Sequence, residues 1–129
     1  MLFRSSVAIA GFVISGEESK PVLIRAVGPT LGAAPFNVAG ALANPQLAIF
    51  QGSAQIKAND DWFRETEAAA IRDAAARSNA FAFGAQSLDS AVLLFLEPGA
   101  YTAVISASAT LPAAQATGLA LVEIYDASP

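Results

Sequence analysis

The sequence contains no cysteine and no histidine. Without cysteine there is no disulfide, no thiolate nucleophile and no zinc–cysteine site. Without histidine the commonest general base and metal ligand is missing, and a Ser-His-Asp triad is excluded. Charge is scarce too: 14% of the 129 residues are Asp, Glu, Lys or Arg, against about 25% in an ordinary soluble domain. The net charge of −4 argues against nucleic acid as a partner, because phosphates need a basic surface. No apolar run approaches the roughly 20 residues of a membrane-spanning helix. The lack of cysteine leaves the compartment open, since oxidising settings permit disulfides without requiring them.

What is plentiful is apolar surface. Hydrophobic residues make up 54% of the chain, enough for a sizeable core in one domain over residues 1–129. With so little charge to dress the outside, some of the surface is expected to be covered by another copy or another domain.

The organising stretch runs from Ser90 to Ser106. Val92, Leu93, Leu94, Phe95 and Leu96 form an unbroken apolar run, the pattern of a strand covered on both faces. Glu97-Pro98-Gly99-Ala100 follows as a turn, with Pro98 presetting φ and Gly99 accepting a positive one. Tyr101 to Ser106 returns, so the whole reads as a β-hairpin at the centre of an antiparallel, jelly-roll-like β-sandwich. Other strands are expected at Leu2 to Ile14, Pro21 to Val27, Gln46 to Phe50, Ala54 to Asn59 and Thr117 to Asp126, with a short one at Phe81 and Phe83.

The first of these is apolar on both faces, Val7, Ile9, Gly11 and Val13 on one and Ala8, Ala10, Phe12 and Ile14 on the other. It is read as a buried strand rather than a signal peptide, because Ile14 and Gly16 make a poor cleavage site, and as a hairpin partner of Pro21 to Val27. In the second sheet-forming pair, Leu47, Ile49 and Ile56 are the expected inward positions. Thr30 to Pro45 is a long loop whose Leu31, Phe36, Val38 and Leu42 anchor it against the body. The period changes between Asp60 and Arg77, where alanines predict one short helix over about 64–77, lying across one end of the sandwich with Ile71 and Ala75 inward. Acidic residues precede it and Arg72 and Arg77 close it, matching the helix dipole.

Few constellations could carry chemistry. Asn59, Asp60 and Asp61 with Asp89 offer oxygen ligands for calcium, but the spacing fits no EF-hand, and Asp60 or Asp61 is read instead as the helix cap. Calcium aside, no cofactor is indicated. Arg25 lies in an apolar strand and must point outward or be paired. Asp61, Asp89 and Glu123 are candidate partners, and the Arg25–Glu123 pair is read as an internal ion pair that fixes strand register. A ligand-holding arginine is the functional counterpart of that reading. Trp62 and Tyr101 could form an aromatic platform for a sugar, or a plug between helix and sandwich. Asp60 and Asp61 are adjacent and would point apart, so they do not make a glycosidase pair. The chain is not expected to be an enzyme.

Three blocks carry a resemblance. They are Gly11 to Gly16 with Pro21 to Leu31; Asn44 to Phe50 with Ala58-Asn59-Asp60-Asp61-Trp62; and Pro98 to Ser106 with Ala120 to Asp126. In that order they resemble an uncharacterised β-sandwich module of large secreted and surface proteins of bacteria. The second and third blocks are more loosely similar to pre-peptidase C-terminal domains, although the alanine helix lies outside that pattern. The resemblance implies an extracellular or cell-surface module without catalytic residues. Together with the sparse charge and the apolar first strand, it gives the leading expectation: a structural subunit that self-associates into a fibre or surface assembly by strand exchange, with Phe3, Val7, Ile9, Phe12 and Ile14 at the interface. The alternative is a monomeric accessory module that binds carbohydrate or a cell surface through Trp62, Tyr101 and the Thr30 to Pro45 loop.

Overall fold

A computed structural model describes the backbone of residues 2–5, 7–108 and 117–129 and the side chains of residues 7–108 and 117–129. Two antiparallel sheets face each other. The strands are β1 (Leu2–Ser5), β2 (Val7–Ile14), β3 (Lys20–Val27), β4 (Pro45–Gln51), β5 (Ala54–Asn59), β6 (Ser90–Leu96), β7 (Gly99–Ala107) and β8 (Gly118–Asp126). The first sheet runs β1-β8-β3-β6 and the second β2-β7-β4-β5. Every connection except the β4–β5 hairpin crosses from one sheet to the other. The expected antiparallel β-sandwich is therefore the observed fold.

The core between the sheets follows from strand alternation. Val22, Ile24 and Ala26 of β3, Val92 and Leu96 of β6 and Val122 of β8 meet Leu47 and Ile49 of β4 and Tyr101, Ala103 and Ile105 of β7. Ala10, Phe12 and Ile14 of β2 pack on the same cluster.

The Ser90 to Ser106 stretch has the expected strands and turn, but it is not a hairpin. β6 pairs with β3 and β7 pairs with β2 and β4, so the turn carries the chain between sheets. Gly99 takes φ 155° there, a conformation open to glycine, and the Tyr101 hydroxyl donates to the Glu97 carbonyl at 2.7 Å, tying the corner shut. A local turn signal fixes a reversal of direction; whether the reversed strand joins the same sheet is decided by which faces need burial. The same reason undoes the expected β2–β3 hairpin, and Leu2 to Ile14 divides likewise, β1 pairing with β8 and β2 with β7.

A second apolar layer covers the outer face of the first sheet. Leu23 of β3 and Ala91 of β6 pack with Trp62, Ile71, Ala74, Ala75 and Ala127, joined by Phe83, Leu93 and Tyr125. Here the chain forms a 3-10 turn at Trp62–Arg64 and a helix (α2) at Ala68–Arg77, while a single helical turn (α1) spans Pro29–Gly32. Ile71 and Ala75 point inward as expected. The helix, however, lies over a sheet face rather than across one end, which is why β3 and β6 are apolar on both sides. Neither Asp60 nor Asp61 caps it: residue 67 occupies the cap position without a side-chain bond, and Asp61 flanks only the 3-10 turn. Phe81 and Phe83 form no strand. In the long loop, Leu31 and Leu42 are buried as expected and Phe36 is exposed against Phe81. Part of the expected small-residue loop, 109–116, lies outside the described residues.

Candidate functional site: an uncharged sheet face and a buried arginine

Two features stand out from the bulk of the sandwich. The first is the outer face of the second sheet. Registers place Val7 opposite Ser106, Ile9 opposite Val104, Gly11 opposite Thr102 and Val13 opposite Ala100. They continue through Gln46, Ala48 and Phe50 of β4 to Ala58 and Gln55 of β5. None of these positions carries a charge. Val7, Ile9 and Val13 are 50%, 65% and 71% exposed. The strands beneath present their partners, Tyr101, Ala103, Ile105, Leu47 and Ile49, to the core.

This geometry corrects the expected interface. β2 is not buried on both faces: its residues alternate between exposed and half-buried. Val7 and Ile9 do lie on the open face, but Phe12 and Ile14 pack on the subunit's own core, Phe12 stacking on Tyr101 at 5.7 Å. The Phe3 side chain lies outside the described residues. Val13, Ala48, Phe50 and Val104 complete the face; Val13 follows from its alternation with Val7 and Ile9, and Ala48 and Phe50 from theirs with the inward Leu47 and Ile49. Ile56 was expected to be inward and is instead exposed, because a register shift between Ile49 and Phe50 disturbs the hairpin.

The second feature is Arg25, 1% exposed on the outer face of β3. It stands directly opposite Glu123 of β8. Its Nε donates to Glu123 Oε1 at 2.9 Å, and Nη2 lies 2.8 Å from the same oxygen. The expected ion pair is therefore present. Tyr125 donates its hydroxyl to the other carboxylate oxygen at 2.6 Å. Nε and Nη2 both approach the same oxygen rather than one each, so the pairing is not the parallel two-bond form and Nη2 is buried without a well-aimed acceptor. Nη1 donates to the Phe81 carbonyl at 2.7 Å. The guanidinium is 4.6 Å and 4.0 Å from the ring centroids of Phe81 and Phe83, a cation–π arrangement. Burial, then the bond to Glu123, pushes the Tyr125 phenol up to about 12.

The remaining candidates all make bonds or packing contacts within the subunit. Asp89 is fully buried and accepts from Gly28 N at 2.7 Å, Thr30 N at 3.2 Å, Thr30 Oγ1 at 2.5 Å and Ser87 Oγ at 2.6 Å. It clamps the turn after β3 onto the start of β6. Asn59 accepts from Ala91 N at 3.0 Å and donates to the Asp61 carbonyl and Glu65, joining β5 to β6 across the open side of the sandwich. Asp60 accepts from Ser108 Oγ at 2.8 Å and Asp61 pairs with Arg64 at 3.1 Å. The calcium candidates are thus engaged by different protein donors, and no group of three acidic side chains converges among the described residues. Trp62 and Tyr101 cannot share a sugar platform: both are buried, and they belong to different apolar clusters on opposite sides of the first sheet. Trp62 donates its indole N–H to Ser87 Oγ at 3.2 Å. Its position next to Asp60-Asp61 in sequence suggested exposure, but the 3-10 turn rotates it under the helix.

The fold and these features define a β-sandwich module with one sheet buttressed by a helix and the other showing, among the described residues, an outer face whose rows carry no charge. No family model matches the chain, and no match was found among curated proteins or solved structures. Among the described residues no helix is long and apolar enough to cross a membrane.

Proposed function

We propose that this chain is a non-catalytic structural module that associates with copies of itself through the outer face of its second sheet. The observation that carries the reading is the uncharged row pattern of that face, from Val7, Ile9 and Val13 across to Ala58. Such a face resembles the inner face of a sandwich, where two sheets pack about 10 Å apart. It carries no charged side chain along its rows, which favours a partner of the same uncharged kind. Burying one fully exposed Val or Ile side chain contributes about 1.5–3 kcal/mol, and Val7, Ile9 and Val13, at 50–71% exposed, would each contribute a part of that against the cost of association. Growth into a fibre or layer would use the two edge strands of the same sheet, β2 and β5. β2 is the better template, having neither charge nor proline along its length. Strand exchange is a weaker form of this reading, since β2 pairs along its whole length with β7 of its own subunit. The setting, an extracellular or cell-surface one in bacteria, is supported by the resemblance of the three sequence blocks.

The experiment is sedimentation and electron microscopy of the wild type beside Ile9→Lys/Val13→Glu, over micromolar to near-millimolar concentration. The wild type is expected to associate. The double variant is expected to remain monomeric with an unchanged circular dichroism spectrum, because both positions face solvent in the subunit. A monomeric wild type throughout that range refutes the reading and turns attention to a polysaccharide or cell-surface partner.

A further inference from the structure

Between α2 and the first sheet lies a cavity of about 150 Å³. Ile71 and Ala76 of the helix, Trp62 and Phe83 line it, and its two charged lining residues are Arg25 and Arg72. An apolar cavity of about this size is large enough to take up one benzene-sized molecule. The walls suit such a body, and the polar positions are both cationic. Arg25 is neutralised by Glu123, whereas Arg72 forms no ion pair among the described residues, so the local balance is positive. Nη2 of Arg25 also lacks a well-aimed acceptor, and a buried guanidinium N–H without one costs stability.

We propose that this cavity is a binding site for a small carboxylate with a compact aromatic or branched apolar body, its anionic end drawn to Arg25 and Arg72. Arg72 supplies the planar fork that presents two donors to one carboxylate, while Arg25, whose Nε and Nη1 are already bonded, adds the N–H left on Nη2. An apolar pocket with a few convergent polar groups is the usual form of a small-molecule site. The proposal does not depend on self-association, since the cavity and the bare face belong to different sheets.

Benzoate is the probe, and benzamide is its uncharged counterpart of the same shape. Binding is followed by calorimetry and by the resonance of the Trp62 indole N–H. Benzoate is expected to bind saturably and shift that resonance, with benzamide at least about tenfold weaker. Ala76→Leu, at a helix position exposed enough to accept the larger side chain, is expected to fill the cavity and abolish the shift while the fold is retained. Arg72→Gln, at an exposed position on the mouth of the cavity, is expected to weaken benzoate but not benzamide. No saturable benzoate binding, equal binding of benzoate and benzamide, or full binding by Ala76→Leu would each overturn the proposal.

Discussion

The sharpest test of the energetics is Glu123→Gln. The substitution keeps the shape of the side chain and removes the only negative charge paired with Arg25 among the described residues. Arg25 cannot escape to water, being 1% exposed beneath Phe81 and Phe83, and the Phe81 carbonyl, the two ring faces and a neutral amide oxygen are then its partners. Breaking a buried pair by removing one member costs about 3–5 kcal/mol. The glutamine oxygen still accepts from Nε, and the Glu123 side chain is 14% exposed, so the expected cost falls to about 2–4 kcal/mol. Folded domains are stable by about 5–15 kcal/mol, which makes this a large fraction of the total. The assay is urea unfolding followed by circular dichroism, with the midpoint falling and the slope unchanged. Arg25→Met together with Glu123→Gln should recover part of the loss, because a thioether in that slot leaves no charge to solvate. If Glu123→Gln costs less than about 1 kcal/mol, the value of an exposed pair, then water reaches the guanidinium and the pair does not fix the β3–β8 register.

Asp89→Ala is expected to cost about 3 kcal/mol or more, since it strands the buried N–H of Gly28 together with other donors. Asp89→Asn should be much milder, because one carboxylate oxygen faces two backbone N–H groups and the other faces hydroxyls that can turn to accept; equal losses would refute that assignment. Gly28→Ala should prevent or severely weaken folding, as its Cβ would sit 2.2 Å from the Leu42 carbonyl oxygen, whereas Gly11→Ala, with nothing nearer than 4.0 Å, should be tolerated. In alkaline titration followed by phenolate absorbance, Tyr125 should ionise only near pH 12. Its folded value lies above its unfolded one, so its stabilising contribution is complete below pH ~10 and is lost as pH rises from there toward about 12. Glu67, held low by its bond from Lys57 at 2.8 Å, contributes above its unfolded value and loses that contribution as pH falls through the depressed one, a small effect at an exposed pair.

The parts legible in the sequence were those set by local pattern. Alternation gave the faces of β2 and the inward Leu47 and Ile49, alanine content gave the helix and its inward Ile71 and Ala75, and Arg25 in an apolar strand required a partner that Glu123 supplied. The hidden parts depended on which sheet a strand joins. Pro98-Gly99 makes a turn in a hairpin or at a sandwich corner, and nothing in those residues distinguishes the two. Phe81 and Phe83 alternate with small residues as a strand would, yet their rings are held by a guanidinium contributed by a strand more than fifty residues earlier. Phe12 and Ile14 were grouped with Val7 and Ile9 because both sides of the strand are apolar; only the position of the core separates them.

That separation bears on which surfaces the subunit leaves uncovered. A sandwich of two sheets has two outer faces. Here the chain spends its single long helix among the described residues, together with Trp62 and Phe83, on one of them. Charge does not dress the other: the ion pairs among the described residues lie at Arg25, Lys57 and Arg64, none of them on the open rows of the second sheet. Alternation on β2 could have placed lysine or glutamate at residues 7, 9 and 13 without touching the core, because those side chains contribute nothing inward. Valine and isoleucine there raise strand propensity slightly and lower solubility more. The subunit's own packing does not require Val7, Ile9 and Val13 to be apolar, and the self-association proposed above would give these residues the cover they lack within the described residues.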